Sequence, residues 1–318
     1  MGEILSVRNL KKYFVSGGFT RHKDTVRAVD DISFSIRNGE TFVLAGESGS
    51  GKTTIARLIL RAMEPDEGEI IFDGTPVTKD NLKKIRRECQ MIHQDPYASI
   101  DPRMKVFDII KEPLDIHGIG NSDEREKIVF DALREVRLEP ANDIATKNPH
   151  MLSGGQRQRV VIARAIVTKP KLVIADEPVS MLDVSVRSGI LELMKELQQK
   201  LGISFLYITH DLSTARYIGH TISIMYLGKI VEAGPINDIL LHPMHPYTQA
   251  LIDSVSEPNP KNLRDDKKIR INDPMDVNVY EGCRFRARCP YAIEKCKEEP
   301  ALEKLDNDRS VACFVKIN

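Results

Sequence analysis

The run Gly46-Glu47-Ser48-Gly49-Ser50-Gly51-Lys52-Thr53 constrains this chain more than any other feature, because it has the spacing of a phosphate-cradling loop, G-x-x-x-x-G-K-[ST]. Glycines let the backbone turn tightly and aim its N–H groups at phosphate oxygens. Lys52 adds a positive charge for the β- and γ-phosphates, and Thr53 a hydroxyl for Mg²⁺. The flanks agree. Residues 41–45 read as a buried strand entering the loop, and Ile55, Leu58, Ile59 and Ala62 follow at helical spacing, so a helix N-terminus faces the anion. A chance glycine-rich turn would lack this strand and helix. The expectation is an α/β core built on a P-loop that binds a nucleoside triphosphate.

Two later segments say what the loop works with. Ser153-Gly154-Gly155-Gln156 precedes a helical stretch at 157–168, where Ser153 can cap the helix and the two glycines leave N–H groups free to grip an anion. Such a turn is by itself a common helix start. Its meaning comes from Leu172-Val173-Ile174-Ala175-Asp176-Glu177 just after it, an apolar run suited to a buried parallel strand that delivers two carboxylates to the carboxyl edge of a sheet. Asp176 is expected in the Mg²⁺ shell, and Glu177 where it can polarise an attacking water. A further apolar strand, Phe205-Leu206-Tyr207-Ile208-Thr209, ends at His210, a candidate γ-phosphate contact.

Taken in order, these residues resemble the nucleotide-binding subunits of ABC transporters. The Walker A loop falls at 46–53, the Q-loop at Gln94, the signature at 152–156, the Walker B strand at 172–177, the D-loop at Ser180-Met181-Leu182-Asp183 and the switch histidine at His210. Met181 departs from the alanine usual in the family. The resemblance implies a P-loop NTPase (ABC ATPase) core with an antiparallel β subdomain, an inserted helical subdomain and a small cysteine-rich C-terminal extension. It also implies ATP held by Phe14, Gly46, Glu47, Ser48, Gly49, Ser50, Gly51, Lys52, Thr53 and Thr54, with Ser153, Gly154, Gly155 and Gln156 acting in trans across a head-to-tail dimer. Mg²⁺ would sit among Thr53, Gln94 and Asp176. The catalytic set would be Glu177 as base, His210 and Gln94. The adenine-stacking ring falls in Lys12-Tyr13-Phe14, where spacing favours Phe14 and leaves Tyr13 open.

Gln94-Asp95-Pro96-Tyr97, Glu112-Pro113-Leu114 and His242-Pro243-Met244-His245-Pro246-Tyr247-Thr248 narrow the resemblance to the di- and oligopeptide import group, and 176–180 resembles its second ATPase subunit. The implied function is ATP hydrolysis powering solute import, most simply of peptides, with nickel or another solute as an alternative. Implied partners are transmembrane permeases, a second ATPase or another copy of this chain, and indirectly an extracytoplasmic solute-binding protein. The rival from another class is a soluble ABC-type ATPase of DNA repair or translation. It predicts a basic surface or a second set of nucleotide motifs, whereas Lys plus Arg and Asp plus Glu each number 46 here and the motifs occur once. No nucleic-acid partner is therefore expected.

No apolar run approaches the roughly 20 residues that span a bilayer, and the first residues lack signal-peptide character. The expected location is the cytoplasmic face of the membrane, peripheral and held by partners. Short alternating segments at 5–7 and 32–36, with 69–72, predict a small antiparallel sheet; 95–168 reads as helical, and 222–231 as a closing hairpin. The expected division is an ATP-binding domain at 1–255, with core 1–94 and 169–240 and helical subdomain 95–168, followed by an extension at 256–318 that opens on the proline-bearing linker 257–262. Cys89 reads as a small buried hydrophobe. The other four cysteines, Cys283, Cys289, Cys296 and Cys313, cluster in the extension, and in a reducing compartment they argue for a metal site over disulfides. Spacing leaves [4Fe–4S] and tetrahedral Zn²⁺ both open, while the resemblance of 282–290 to cluster-bearing peptide-importer ATPases implies [4Fe–4S]. Its distance along the chain from every phosphate motif predicts a stabilising or docking role with no part in hydrolysis.

Overall fold

The protein is described here from a computed structural model that covers residues 2–16, 24–254 and 280–315. The strand Thr41–Ala45 lies inside an eight-stranded sheet. It pairs in parallel with Ser204–Thr209 on one side and Thr221–Tyr226 on the other, and the parallel series continues through Leu172–Asp176 to Cys89–Ile92. The strands 41–45, 172–176 and 204–209 are buried throughout, which is why they read as continuous apolar runs instead of alternating ones. Because these strands run in one direction, the residues that follow each of them, Gly46, Gln94, Glu177 and His210, gather at one edge of the sheet. The hairpin then reverses direction through Leu227-Gly228, both at positive φ (42° and 82°), the mirror-image turn that matches strand twist.

A four-stranded antiparallel sheet, in the order Asp24–Arg37, Glu3–Ser16, Glu67–Phe72, Thr75–Pro76, shares a core with the P-loop helix through Leu5, Ile32, Ile36, Ile55 and Ile59. Its first two strands run 14 residues each, far longer than the alternating fragments that signal them. Asn9 and Asp31 take left-handed φ of 46° and 59° at irregularities in the ladder, and the Asn9 amide donates to Asp31 at 2.9 Å. Each bulge shifts the side-chain period, so a strict alternation is lost. The P-loop helix, Lys52–Ile59, is shorter than expected and leaves Ala62 exposed. Arg61 turns left-handed after it and donates to the Val77 carbonyl at 2.9 Å.

Helices Val106–His117, Ser122–Glu135, Ala141–Thr146 and Gly154–Ile166 lie between the strands Cys89–Ile92 and Leu172–Asp176. Gly118 closes the first in a left-handed conformation, and Asn121 opens the second through a reciprocal capping box with Glu124. Residues 95–105, expected to be helical, form turns. The Asp95 and Asp101 carboxylates accept the N–H groups of Tyr97 and Arg103 at 2.7 and 2.9 Å, local bonds that compete with a helix.

The C-terminal segment 280–315 is docked on the large sheet. Ser310–Val311 pairs with the hairpin strand Lys229–Pro235, and Glu303–Lys304 pairs in turn with it. Arg309 donates at 3.0 Å to Glu232, a fully buried carboxylate that also accepts the N–H groups of Met244 and His245 at 2.9 and 3.0 Å. The expected linker at 257–262 lies outside the described residues.

Candidate functional site

The phosphate loop is shaped by two close approaches. A Cβ on Gly46 would meet the Met225 carbonyl oxygen at 2.1 Å, and one on Gly51 the Ala28 oxygen at 1.9 Å, with φ of 154° and 107°. Gly49 differs, because its Cβ direction is open. No side chain caps the helix after Gly51 and no acid occupies its first turn, so an anion meets free backbone donors and the positive end of the dipole. Lys52 is buried, its Nζ donating to the carbonyls of Gly46 and Glu47 at 2.7 and 2.8 Å. Burial lowers its pKa, against the pull of Glu177, Asp176 and Glu47.

Asp176 is also buried, and desolvation holds its carboxyl above the usual range despite a hydrogen bond with the Thr53 hydroxyl and the charge of Lys52. Its Oδ1 has no hydrogen-bond partner. An orphaned carboxylate oxygen beside a threonine hydroxyl is a donor set that suits a hard divalent cation. Glu177, at the left-handed φ of 46°, accepts from Gln94 Nε2 at 2.8 Å through one oxygen and meets His210 Nδ1 at 2.9 Å through the other. Two residues from two other strand ends therefore converge on the carboxylate at a third.

Ser153 caps the helix Gly154–Ile166 in a reciprocal box: the Gln156 N–H donates to Ser153 Oγ at 3.2 Å, and the Ser153 N–H to Gln156 Oε1 at 2.9 Å. Gly155 lets Val186 pack close, since a Cβ there would meet Val186 Cγ1 at 2.6 Å. Among the described residues no hydrogen bond joins 153–156 to Lys52, Thr53, Asp176 or Glu177. Phe14 is 40% exposed on its strand. Tyr13 is occupied otherwise. Its hydroxyl donates to Asp30 at 2.5 Å, and burial with that carboxylate pushes its pKa up to about 12.

The tail thiols sit in turns. Cys313 Sγ accepts the Val315 N–H at 3.4 Å. Gly282 allows the Cys283 N–H to reach the Cys296 carbonyl at 2.9 Å, because a Cβ on it would lie 2.4 Å from the Lys297 oxygen. Burial pushes the Cys283 thiol up to about 11 and raises Cys289 as well. Among the described residues no three His, Cys, Asp or Glu side chains form a group that could hold a metal ion. Cys89 is buried in its strand, apart from this set.

Three groups near the loop escape a reading by motif. Arg288 donates to both Glu47 carboxylate oxygens at 3.0 and 3.3 Å, the Tyr247 hydroxyl accepts the Glu47 N–H at 2.9 Å, and Arg284 pairs with Asp30. Their sequence signals are the His-Pro-Met-His-Pro-Tyr run and two arginines spaced four apart between Cys283 and Cys289. Neither signal says what it touches until the chain is folded.

Fold and site together define a P-loop nucleoside-triphosphatase core. A family model described as ABC transporter matches residues 29–180, and one described as oligopeptide/dipeptide transporter, C-terminal region, matches 231–296. The oligopeptide transport ATP-binding protein AppF of Bacillus subtilis is 42% identical over 321 residues, covering 98% of this chain and 97% of its own. The protein of Sinorhizobium fredii named probable peptide ABC transporter ATP-binding protein y4tS is 42% identical over 98% of this chain and 90% of its own. Among solved structures, the dimeric ATP-binding cassette MJ0796 bound to ADP and Pi superposes with a TM-score of 0.64 at 29% identity, covering 73% of this chain and 98% of that one. CbiO1 of Clostridium perfringens, part of the ABC transporter complex cbiONQ, gives 0.66 at 27% identity, with 75% and 91% covered. The chain belongs to the ABC transporter ATP-binding proteins of the oligopeptide/dipeptide group and is an ABC-type ATPase.

Proposed function

We propose that this chain hydrolyses ATP at a composite site to power the import of di- or oligopeptides. The observation that carries the reading is the meeting of Gln94 and His210 on Glu177 at 2.8 and 2.9 Å, beside an Asp176 oxygen with no partner. In this reading Lys52 and the free N–H groups of the loop bind the β- and γ-phosphates, and Phe14 stacks on the base. Thr53, Gln94 and Asp176 hold Mg²⁺, which neutralises phosphate charge. Glu177 accepts the proton of the attacking water while His210 fixes its orientation. The 153–156 turn has no hydrogen bond to its own P-loop residues and serves the nucleotide of a facing cassette, a second copy or a related ATPase. Residues 1–255 form the ATPase domain with helical insert 95–168, and 256–318 the extension.

Relatives named for peptide transport support the solute class. No helix among the described residues is long and apolar enough to cross a membrane; the chain works at the cytoplasmic face on transmembrane permease subunits fed by a solute-binding protein. Its deletion is expected to abolish growth on peptides as the sole amino-acid source and to leave nickel uptake unchanged. Lost nickel uptake with normal peptide growth would move the assignment to nickel.

Cys283, Cys289, Cys296 and Cys313 would ligate a [4Fe–4S] cluster in this reading, which requires the thiols to draw closer together than the arrangement described above, where no three of them form a metal-holding group. Burial raises the Cys283 and Cys289 thiols above their ordinary value, so binding of the group would release their protons. Such a group would crosslink the tail at four points. Anaerobic purification is expected to give about four iron and four acid-labile sulfide per chain. Zinc with neither would assign a tetrahedral zinc site to the same cysteines.

A further inference from the structure

We infer that Arg288 is a positioning residue for the ATP-binding loop, acting through Glu47 on Lys52. The inference rests on the reading of 46–53 as the ATP site. Glu47 is held at every polar group it has. Its N–H donates to the Tyr247 hydroxyl at 2.9 Å, its carbonyl accepts from Lys52 Nζ at 2.8 Å, and both carboxylate oxygens accept from the Arg288 fork at 3.0 and 3.3 Å. The guanidinium also donates to the Tyr226 hydroxyl at 3.3 Å and lies over the rings of Tyr226 and Phe285. Phe285 is fully buried, edge-on to Tyr226 with ring centroids 5.4 Å apart and 5.5 Å from Tyr247. The arginine is thus seated in a fixed aromatic socket, and its planar fork meets the carboxylate with little freedom left to lose.

A second arginine on the same short run grips the other side of the site. Arg284 pairs with Asp30, which accepts the Tyr13 hydroxyl at 2.5 Å, and Tyr13 adjoins Phe14. Between Cys283 and Cys289 the tail therefore reaches the phosphate loop through one arginine and the base-side strand through the other. An exposed ion pair adds little to stability. This one is bidentate and bears on a residue whose carbonyl orients Lys52, so its effect falls on nucleotide affinity. The tail, expected from its distance along the chain to stand apart from the chemistry, becomes one wall of the loop.

The test is equilibrium binding of the non-hydrolysed analogue AMP-PNP, with steady-state hydrolysis, by the full chain as wild type, Arg288→Ala, Arg288→Lys, Glu47→Gln, the Ala/Gln double variant and Arg309→Ala. Arg288→Ala is expected to weaken binding about three- to tenfold and raise KM in step, with kcat within about twofold, and the double variant to bind no worse than the weaker single one. Arg288→Lys should fall between, keeping the charge and losing the fork. Glu47→Gln leaves the tail untouched, so it reports on the contact even if Arg288→Ala folds poorly. Arg309→Ala loosens tail docking away from the loop and is expected to bind as wild type. Wild-type affinity in both Arg288→Ala and Glu47→Gln, additive losses in the double variant, or an equal loss in Arg309→Ala would overturn the inference. A wild type that fails to bind AMP-PNP would overturn the ATP site itself.

Discussion

Glu177→Gln is expected to bind ATP as the wild type does and to lose about 10²–10⁴ in turnover, the range a positioned general base contributes. The substitution keeps the shape of the side chain and both of its neighbours. The amide oxygen can still accept from Gln94, and the amide nitrogen can donate to His210 in the tautomer that leaves Nδ1 unprotonated. What disappears is the capacity to take a proton. Nucleotide binding and steady-state hydrolysis measured on the same preparation separate the two, and near-normal turnover would remove Glu177 from the role of base.

Gly51→Ala is expected to destabilise the protein by about 2–5 kcal/mol, as backbone strain and overpacking combine, and to abolish ATP binding. The new methyl would stand 1.9 Å from the Ala28 carbonyl oxygen and 2.8 Å from Met225 Cε, at a φ of 107°. A backbone carbonyl on the neighbouring strand cannot swing aside as a side-chain tip can, so the loop itself must move. Gly49→Ala is the control. Its φ is 80° but nothing lies within 4 Å of the added carbon, so only the left-handed conformation is penalised, at about 1–2 kcal/mol. Urea unfolding of the two variants measures the difference, and equal losses would mean that the close approach at Gly51 is not what fixes the loop.

The parts of this molecule that were legible in its sequence are those where one short segment carries its own reason. The strand Thr41–Ala45, its glycine loop and the helix after it declare themselves because burial on both faces removes alternation and because the phosphate-binding spacing is strict. The same holds for Leu172–Asp176. Elsewhere the signal depends on partners distant along the chain. The fourteen-residue strands show in the sequence only as short alternating pieces, since the bulges at Asn9 and Asp31 shift the face each side chain takes. Arg288 carries no local mark of its role. Its partner Glu47 lies 241 residues earlier, and only the folded tail brings the two together.

The central claim is that ATP is hydrolysed between two cassettes. It is our proposal, supported by the meeting of Gln94, Glu177 and His210 within one chain and, among the described residues, by the lack of a hydrogen bond from 153–156 to the P-loop residues of that chain. The direct measurement is ATP hydrolysis by Lys52→Ala and Ser153→Arg chains, first each alone and then mixed, with pairing verified by differential tags. Each variant alone is predicted to fall to background, and the mixed pair to regain activity, because it contains one site with both an intact Lys52 and a facing Ser153. Wild-type hydrolysis by Ser153→Arg alone, or an inactive mixture despite verified pairing, would contradict a composite site formed by two copies of this chain.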